Sequence, residues 1–415
     1  MKNAQLLFIG IITLTAAAMS CNNRKNSSNE RGLQSYAKGT FGFDLDFLKK
    51  QDAHLVVLKS ADSSAQIIVS PKYQAKVFTS TAAGSKGRSF GWVHYKAFSE
   101  PIDTHMNSYG GENRFWLGPE GGNYSLFFKP GTQMVFENWH TPGAFDTAAW
   151  QVTEQDNASH VMMHKDMVLQ NYLGTSLSIA VDRKISLMSM SDIVDQLQIP
   201  DSDSTSVVGY QTDNTITNTG SFAWTENTGM PCIWILDMFT PSQSGVIAIP
   251  FHPETNKKEK IATTDYFGQI APDRLKFTDS VLFFKVDGNS RGKLGLPPAR
   301  AKGVEASYDA TNHVLTILTS GVDPNAKYLY QKWDTSGATF DGDALNAYND
   351  GPLEDGSQMG PFFEMESVSP AAFLDAGASL SHRQNVYHFI GSENDLNAIS
   401  EKVLGISIRD FKSAF

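Results

Sequence analysis

The chain has 415 residues, 41% of them hydrophobic and only 19% charged, with a formal net charge of −10. That is enough apolar material for one large ordered domain or two ordinary ones, and it excludes a disordered chain. No stretch concentrates Lys or Arg beyond the short run NKKEK, so the basic footprint that a phosphate backbone requires is missing and nucleic acid is not an expected partner.

At the N-terminus, Lys2 supplies a positive charge, LLFIGIITLTAAAM an apolar stretch, and Ser20 precedes Cys21. This layout reads as a lipoprotein signal peptide over residues 1–20, with acylation on Cys21. The apolar stretch is short for a membrane span, so membrane contact is expected through the lipid anchor only. No acidic run follows Cys21, which favours the periplasmic side of the cell envelope over the cell surface. Residues 21–39 are polar and read as a flexible tether, leaving 40–415 as a single domain. With Cys21 acylated, only Cys232 remains, inside the apolar run MPCIWIL, where it reads as a small buried hydrophobe and no disulfide supports the fold.

FDLDFLKKQ predicts a short helix or turn. Strand signals then dominate: HLVVLKS, AQIIVSP, AKVFTSTA, SFGWVHY, YSLFFKP, TSLSIAVDRKISLMSM, CIWILDMF, GVIAIPF, SVLFFKV and YLYQKW are β-branched or aromatic runs fenced by turn residues. GVEASYDATNHVLTILTSG reads as one hairpin turning at DATN. Helical pattern is confined to MSDIVDQLQI and ENDLNAISEKVLG, with Ser191 and Ser392 as capping residues. The fold class is therefore all-β, with two large antiparallel sheets packed face to face and one curved face available as a trough.

Chemistry-bearing residues gather in a few segments. GGENRFWLGPEGG reads as a pliable loop at the trough rim, carrying Asn113, Arg114, Trp116 and Glu120. ENWHTPG adds Trp139 and His140, and His105 lies upstream. Aromatic faces stack on sugar C–H patches while charged and amide groups hold hydroxyls; buried core aromatics with surface charge are the competing account. FFEMESVSP alternates, setting Glu364 and Glu366 on one face, either at a solvated sheet edge or in the trough with Glu366 as acceptor or general base. The passage from Lys332 to Asp350 holds Trp333, Asp341, Asp343 and Asp350, an oxygen density that suits Ca²⁺ or, equally, turns. HVMMH spaces His160 and His164 four apart but lacks the Glu of a zinc protease, so it reads as an ordinary histidine pair.

Three segments, TNTGSFAWT, CIWILDMFTPSQSGVIAIPF and EMESVSPAAFLDAGASLSHRQNVYHF, in that order, make the chain from about Asp44 onward similar to the galactose mutarotase-like (aldose 1-epimerase-like) superfamily. Its nearest resemblance is to a lipoprotein branch of the Bacteroidetes type. The resemblance implies a β-supersandwich that binds carbohydrate in its concave face. Where that family carries a first His, this chain has Thr219 after Asn218; GMPCIWIL carries no second His, and only the late Glu364 or Glu366 remains. Two functions follow: a cell-envelope lipoprotein that binds carbohydrate or processes sugar in a trough, or an aldose 1-epimerase or lyase-type enzyme. The second would use Glu366 as base and a relocated acid, His105 or His140.

Overall fold

The short apolar runs pair into three antiparallel sheets in a computed structural model that describes residues 36–156, 158–200, 204–253 and 260–415. The expected signal peptide, Cys21 and most of the tether lie outside the described residues. The largest sheet has ten strands, and Ser379–Ile390 lies at its centre, between Val314–Ser320 and Ser206–Asn218. A five-stranded sheet runs in the order Gly292–Leu296, Leu345–Asn349, Phe363–Val368, Cys232–Phe239, Arg114–Gly118. A three-stranded sheet, Val56–Lys59, Gln66–Ser70 and Lys76–Thr81, completes the set.

The five-stranded sheet packs its Phe115, Ile233, Ile235, Met365 and Leu294 side against Ile179, Val181, Ile216 and Ile247 of the large sheet, in one apolar core. A second core covers the opposite face of the large sheet. There Leu315, Ile317, Tyr387 and Phe389 pack under Ile193 and Leu197 of helix Met190–Leu197, Leu396 of helix Glu393–Leu404 and Phe411 of helix Ile408–Lys412. Helix Phe41–Gln51 packs Phe41 and Leu48 onto Ile68 and Phe78 of the small sheet. The two-sheet β-sandwich expected from the sequence is the fold observed.

The interior also holds a polar seam. Arg183, fully buried on the large sheet, donates through Nε to the Ala75 carbonyl (3.0 Å) and through its two terminal nitrogens to the side chains of Asn214 and Asn113. Asn113 in turn donates to Asp237 (2.6 Å) and to Gln384 (2.6 Å). Every buried polar group here needs such a partner, because an unpaired one costs a few kcal/mol.

Local expectations fared unevenly. The DATN hairpin is present as Val304–Asp309 and Val314–Ser320, paired antiparallel. Both expected helices form, but the first is capped by Ser189, whose hydroxyl accepts from the Asp192 backbone in a reciprocal capping box, and not by Ser191. The segment expected as a rim loop is instead strand Arg114–Gly118, buried throughout; its pairing partner Cys232–Phe239 lies more than a hundred residues away, so local glycines outweighed it in the sequence. YSLFFKP, SFGWVHY and YLYQKW are not strands; they run as turns and isolated bridges. Phe363–Val368 is no edge strand: it lies in the middle of its sheet and is buried on both faces.

Between the sheets, His382 is buried and its Nε2 lies 2.8 Å from the Ser367 hydroxyl. Burial pushes the imidazole down to about 4 from an ordinary 6.5. The folded state therefore resists a proton that the unfolded chain accepts. The resulting stabilisation is complete above pH 6.5 and is lost as pH falls through about 4, up to roughly 3 kcal/mol. His382→Gln should flatten this part of the pH–stability curve in denaturant titrations; an unchanged slope between pH 6.5 and 4 would show that another group carries it.

Candidate functional site

The second face of the five-stranded sheet is turned away from the core and carries the chemistry. Alternation along the strands places Arg114 and Trp116, Trp234, Leu236 and Met238, Glu364 and Glu366, and Asn346 and Tyr348 on this one face. Register aligns them into rows across the sheet. One row runs Arg114, Leu236, Glu366, Asn346; the next runs Met238, Glu364, Tyr348, Lys293. Cross-strand neighbours within a row stand close enough for their side chains to interact.

Two buried ion pairs make up the charged floor. Arg114 is bonded to Glu364, and Lys293 lies 3.0 Å from Glu366 Oε2. The Trp234 indole N–H donates to that same oxygen at 2.8 Å, and the Lys293 ammonium sits 4.5 Å over the Trp234 ring. Glu366 Oε1 has no partner among the described residues, and neither do Arg114 Nε and Trp139 Nε1, all of them buried. Burial drives the Glu364 carboxyl up to about 7, against the pull of Arg114 and with the push of Glu366. Glu120 is also raised, by burial first and against the pull of Lys293.

Loops wall this floor into a cavity of about 600 Å³, part of it open to solvent. Phe267, Trp333, Trp139 and Phe136 form one aromatic wall: Phe267 meets Trp333 edge-on at 6.4 Å, Trp333 stacks on Trp139 at 5.7 Å, and Trp139 stacks on Phe136 at 6.2 Å. Gly121 lets this wall close. A Cβ there would lie 1.9 Å from the Lys332 carbonyl, so only glycine allows the turn carrying Glu120 to seat against the segment carrying Trp333.

Of the residues singled out in the sequence, Arg114, Trp116, Glu120, Trp139, Trp333 and Glu364 line this one cavity. Glu366 lies fully buried in the same floor, behind its contacts with Lys293 and Trp234. Asn113 is one residue out of phase with Arg114 and faces the polar seam between the sheets. His105 and His140 stack on each other at 4.7 Å, with their Nδ1 atoms against the Trp139 and Thr104 carbonyls, and neither lines the cavity. Asp341 is paired with Lys260 (3.2 Å), Asp343 accepts from the Tyr266 hydroxyl (2.6 Å), and Asp350 accepts from the Tyr348 hydroxyl (3.0 Å). Among the described residues, no three His, Cys, Asp or Glu side chains converge as a metal ion would need. His160 pairs with Glu154, and His164 with Asp166 and Asp182, on the surface of strand His160–Gln170.

Sequence reasoning missed Lys293, Trp234, Tyr348 and Arg291. Trp234 was hidden in the apolar run CIWILDMF, whose alternation shows only once one face is known to line a trough. RGKLGL held a usable signal: Arg291 and Lys293 are two apart, hence on one face of a strand.

Solved structures with similar folds share little sequence. The Slr1438 protein of Synechocystis aligns with a TM-score of 0.50 at 12% identity, over 81% of this chain and 96% of that one. A putative aldose 1-epimerase of Escherichia coli aligns at 0.46 and 11% identity, over 80% and 98%. A putative mutarotase of Salmonella typhimurium aligns at 0.41 and 11%, over 81% and 90%. The β-sandwich of the Slr1438 protein is thus the fold this chain shares; an identity this low speaks for fold alone. No curated protein matches the sequence. Residues 39–415 match the profile of the family of unknown function DUF6786, and the chain belongs to that family.

Proposed function

We propose that the trough binds carbohydrate. The observation that carries the reading is the pairing of an aromatic wall with the polar side chains of Arg114, Glu120 and Glu364 in the lining of one cavity. Sugar rings present C–H faces to such a wall and hydroxyls to such polar groups. Trp333 is the cleanest probe, because it is only partly buried. Trp333→Ala should weaken binding in a sugar panel by about ten- to a hundredfold, the scale of one large apolar contact, with little loss of melting temperature. Unchanged affinity with a lowered melt would make the ring a packing residue.

A second reading, a sugar-processing enzyme such as an aldose 1-epimerase, is favoured by one observation. Glu364 faces the cavity with its carboxyl raised to about 7, where a group can both give and take a proton near neutrality. Glu364, a lining residue, is a better placed base in this reading than the fully buried Glu366, and His105 and His140 stand behind the aromatic wall, His105 stacked on Phe136 at 4.6 Å. Polarimetry of freshly dissolved aldose anomers tests it: Glu364→Gln should cut any turnover about 10²–10⁴-fold while affinity persists. Equal rates with and without the wild-type protein would leave binding alone.

The protein's place in this reading is the cell envelope, held on the periplasmic side by a lipid on Cys21. The support is the signal layout and the polar tether behind it. Cys21→Ser should move the protein from the membrane fraction to the soluble one; continued sedimentation with membranes would refute the anchor.

A further inference from the structure

Not every charge of the trough is held in a direct ion pair. Arg114 is matched by Glu364 and Lys293 by Glu366, each as a direct ion pair. Arg291 lines the same cavity, is exposed, and has no ion-pair or hydrogen-bond partner among the described residues. It is nevertheless held in place: its guanidinium carbon lies 4.0 Å from the centroid of the Phe267 ring, at the end of the aromatic wall. Stacking on a ring fixes the guanidinium without neutralising it, and leaves the N–H groups at its edge free in a planar fork. That fork matches a carboxylate in two-point contact. A ligand lying along the wall brings one substituent to this fork.

We propose, resting on the carbohydrate reading, that the trough selects an acidic sugar whose carboxylate is taken by Arg291, as in a uronic acid unit. The chain's net charge of −10 makes this selection local, because the protein as a whole repels an anion. The site supplies in Arg291 a cation with no direct ion-pair partner, while the charges of the floor are already held in pairs. Glu120 is the remaining acid in the lining; burial raises its carboxyl, against the pull of Lys293 and Arg291.

Calorimetric titration of the purified full chain with D-glucuronate and D-galacturonate, with D-glucose and D-galactose, and with glucose 6-phosphate tests the proposal. Each uronate should bind at least about tenfold tighter than its neutral parent, with the ratio shrinking as salt rises. Arg291→Gln should bring that ratio close to one, and Arg291→Lys, which keeps the charge but loses the fork, should leave it in between. Arg291 is exposed, so a melting curve confirms folding of both variants. Equal binding of uronates and neutral sugars by the wild type overturns the acidic-sugar assignment and leaves the carbohydrate reading standing. A preference for the phosphate over the uronates overturns the carboxylate. Binding of none of the five overturns both.

Discussion

The Arg183 guanidinium is the fixed point of this structure. It is buried between the sheets and reaches three separate parts of the chain: Ala75 of the small-sheet region, Asn214 on the neighbouring strand, and Asn113 at the start of the five-stranded sheet's last strand. A buried guanidinium is costly unless its donors are met, so the backbone has little freedom at each of these points. Asn113 passes the constraint on to Asp237 and Gln384. Burial holds the Asp237 carboxyl well above the usual carboxylate range, while the hydrogen bonds from Asn113 and Gln384 work against that shift. Because strand side chains alternate, locking Asn113 inward turns Arg114 outward. The trough floor is thus set in phase from the core side.

That coupling explains why the floor can hold Glu364 and Glu366 on one strand only two residues apart. Each has its own cation, Arg114 from one side and Lys293 from the other, and the two cations come from opposite edge strands of the sheet. Like charges on one face of a strand repel unless each is matched. The sheet therefore needs all five strands in register before its floor is electrostatically sound. The aromatic wall sits on this floor and is built from segments that are not strands, so the wall can be shaped separately from the floor.

How much of this could be read from the sequence depends on the distance over which each feature is determined. The DATN hairpin and the helix behind Ser392 are decided by neighbours within a few residues, and both were legible. Strand Arg114–Gly118 was not, because its glycine-flanked ends resemble a loop and only pairing with Cys232–Phe239 makes it a strand. For the same reason Arg114, Trp116 and Glu120 were singled out by residue type but misplaced in setting. Asn113 was grouped with them by adjacency, although alternation sends adjacent residues to opposite faces. Lys293 and Trp234 carried no local mark at all; their importance arises from meeting Glu366 across the sheet.

The position of Ser379–Ile390 has a consequence for biogenesis. On one side of it the large sheet consists of strands from Gln151 to Asn218, and on the other of strands from Gly245 to Ser320. Each half can pair as it emerges, but no strand pairing joins the halves until Ser379–Ile390 arrives between them. During synthesis both halves present open inner edges, the kind of edge that recruits foreign strands. Pairing across the large sheet therefore waits on Ser379–Ile390, and a chain stalled or clipped before Ser379 lacks the strand that joins its two halves.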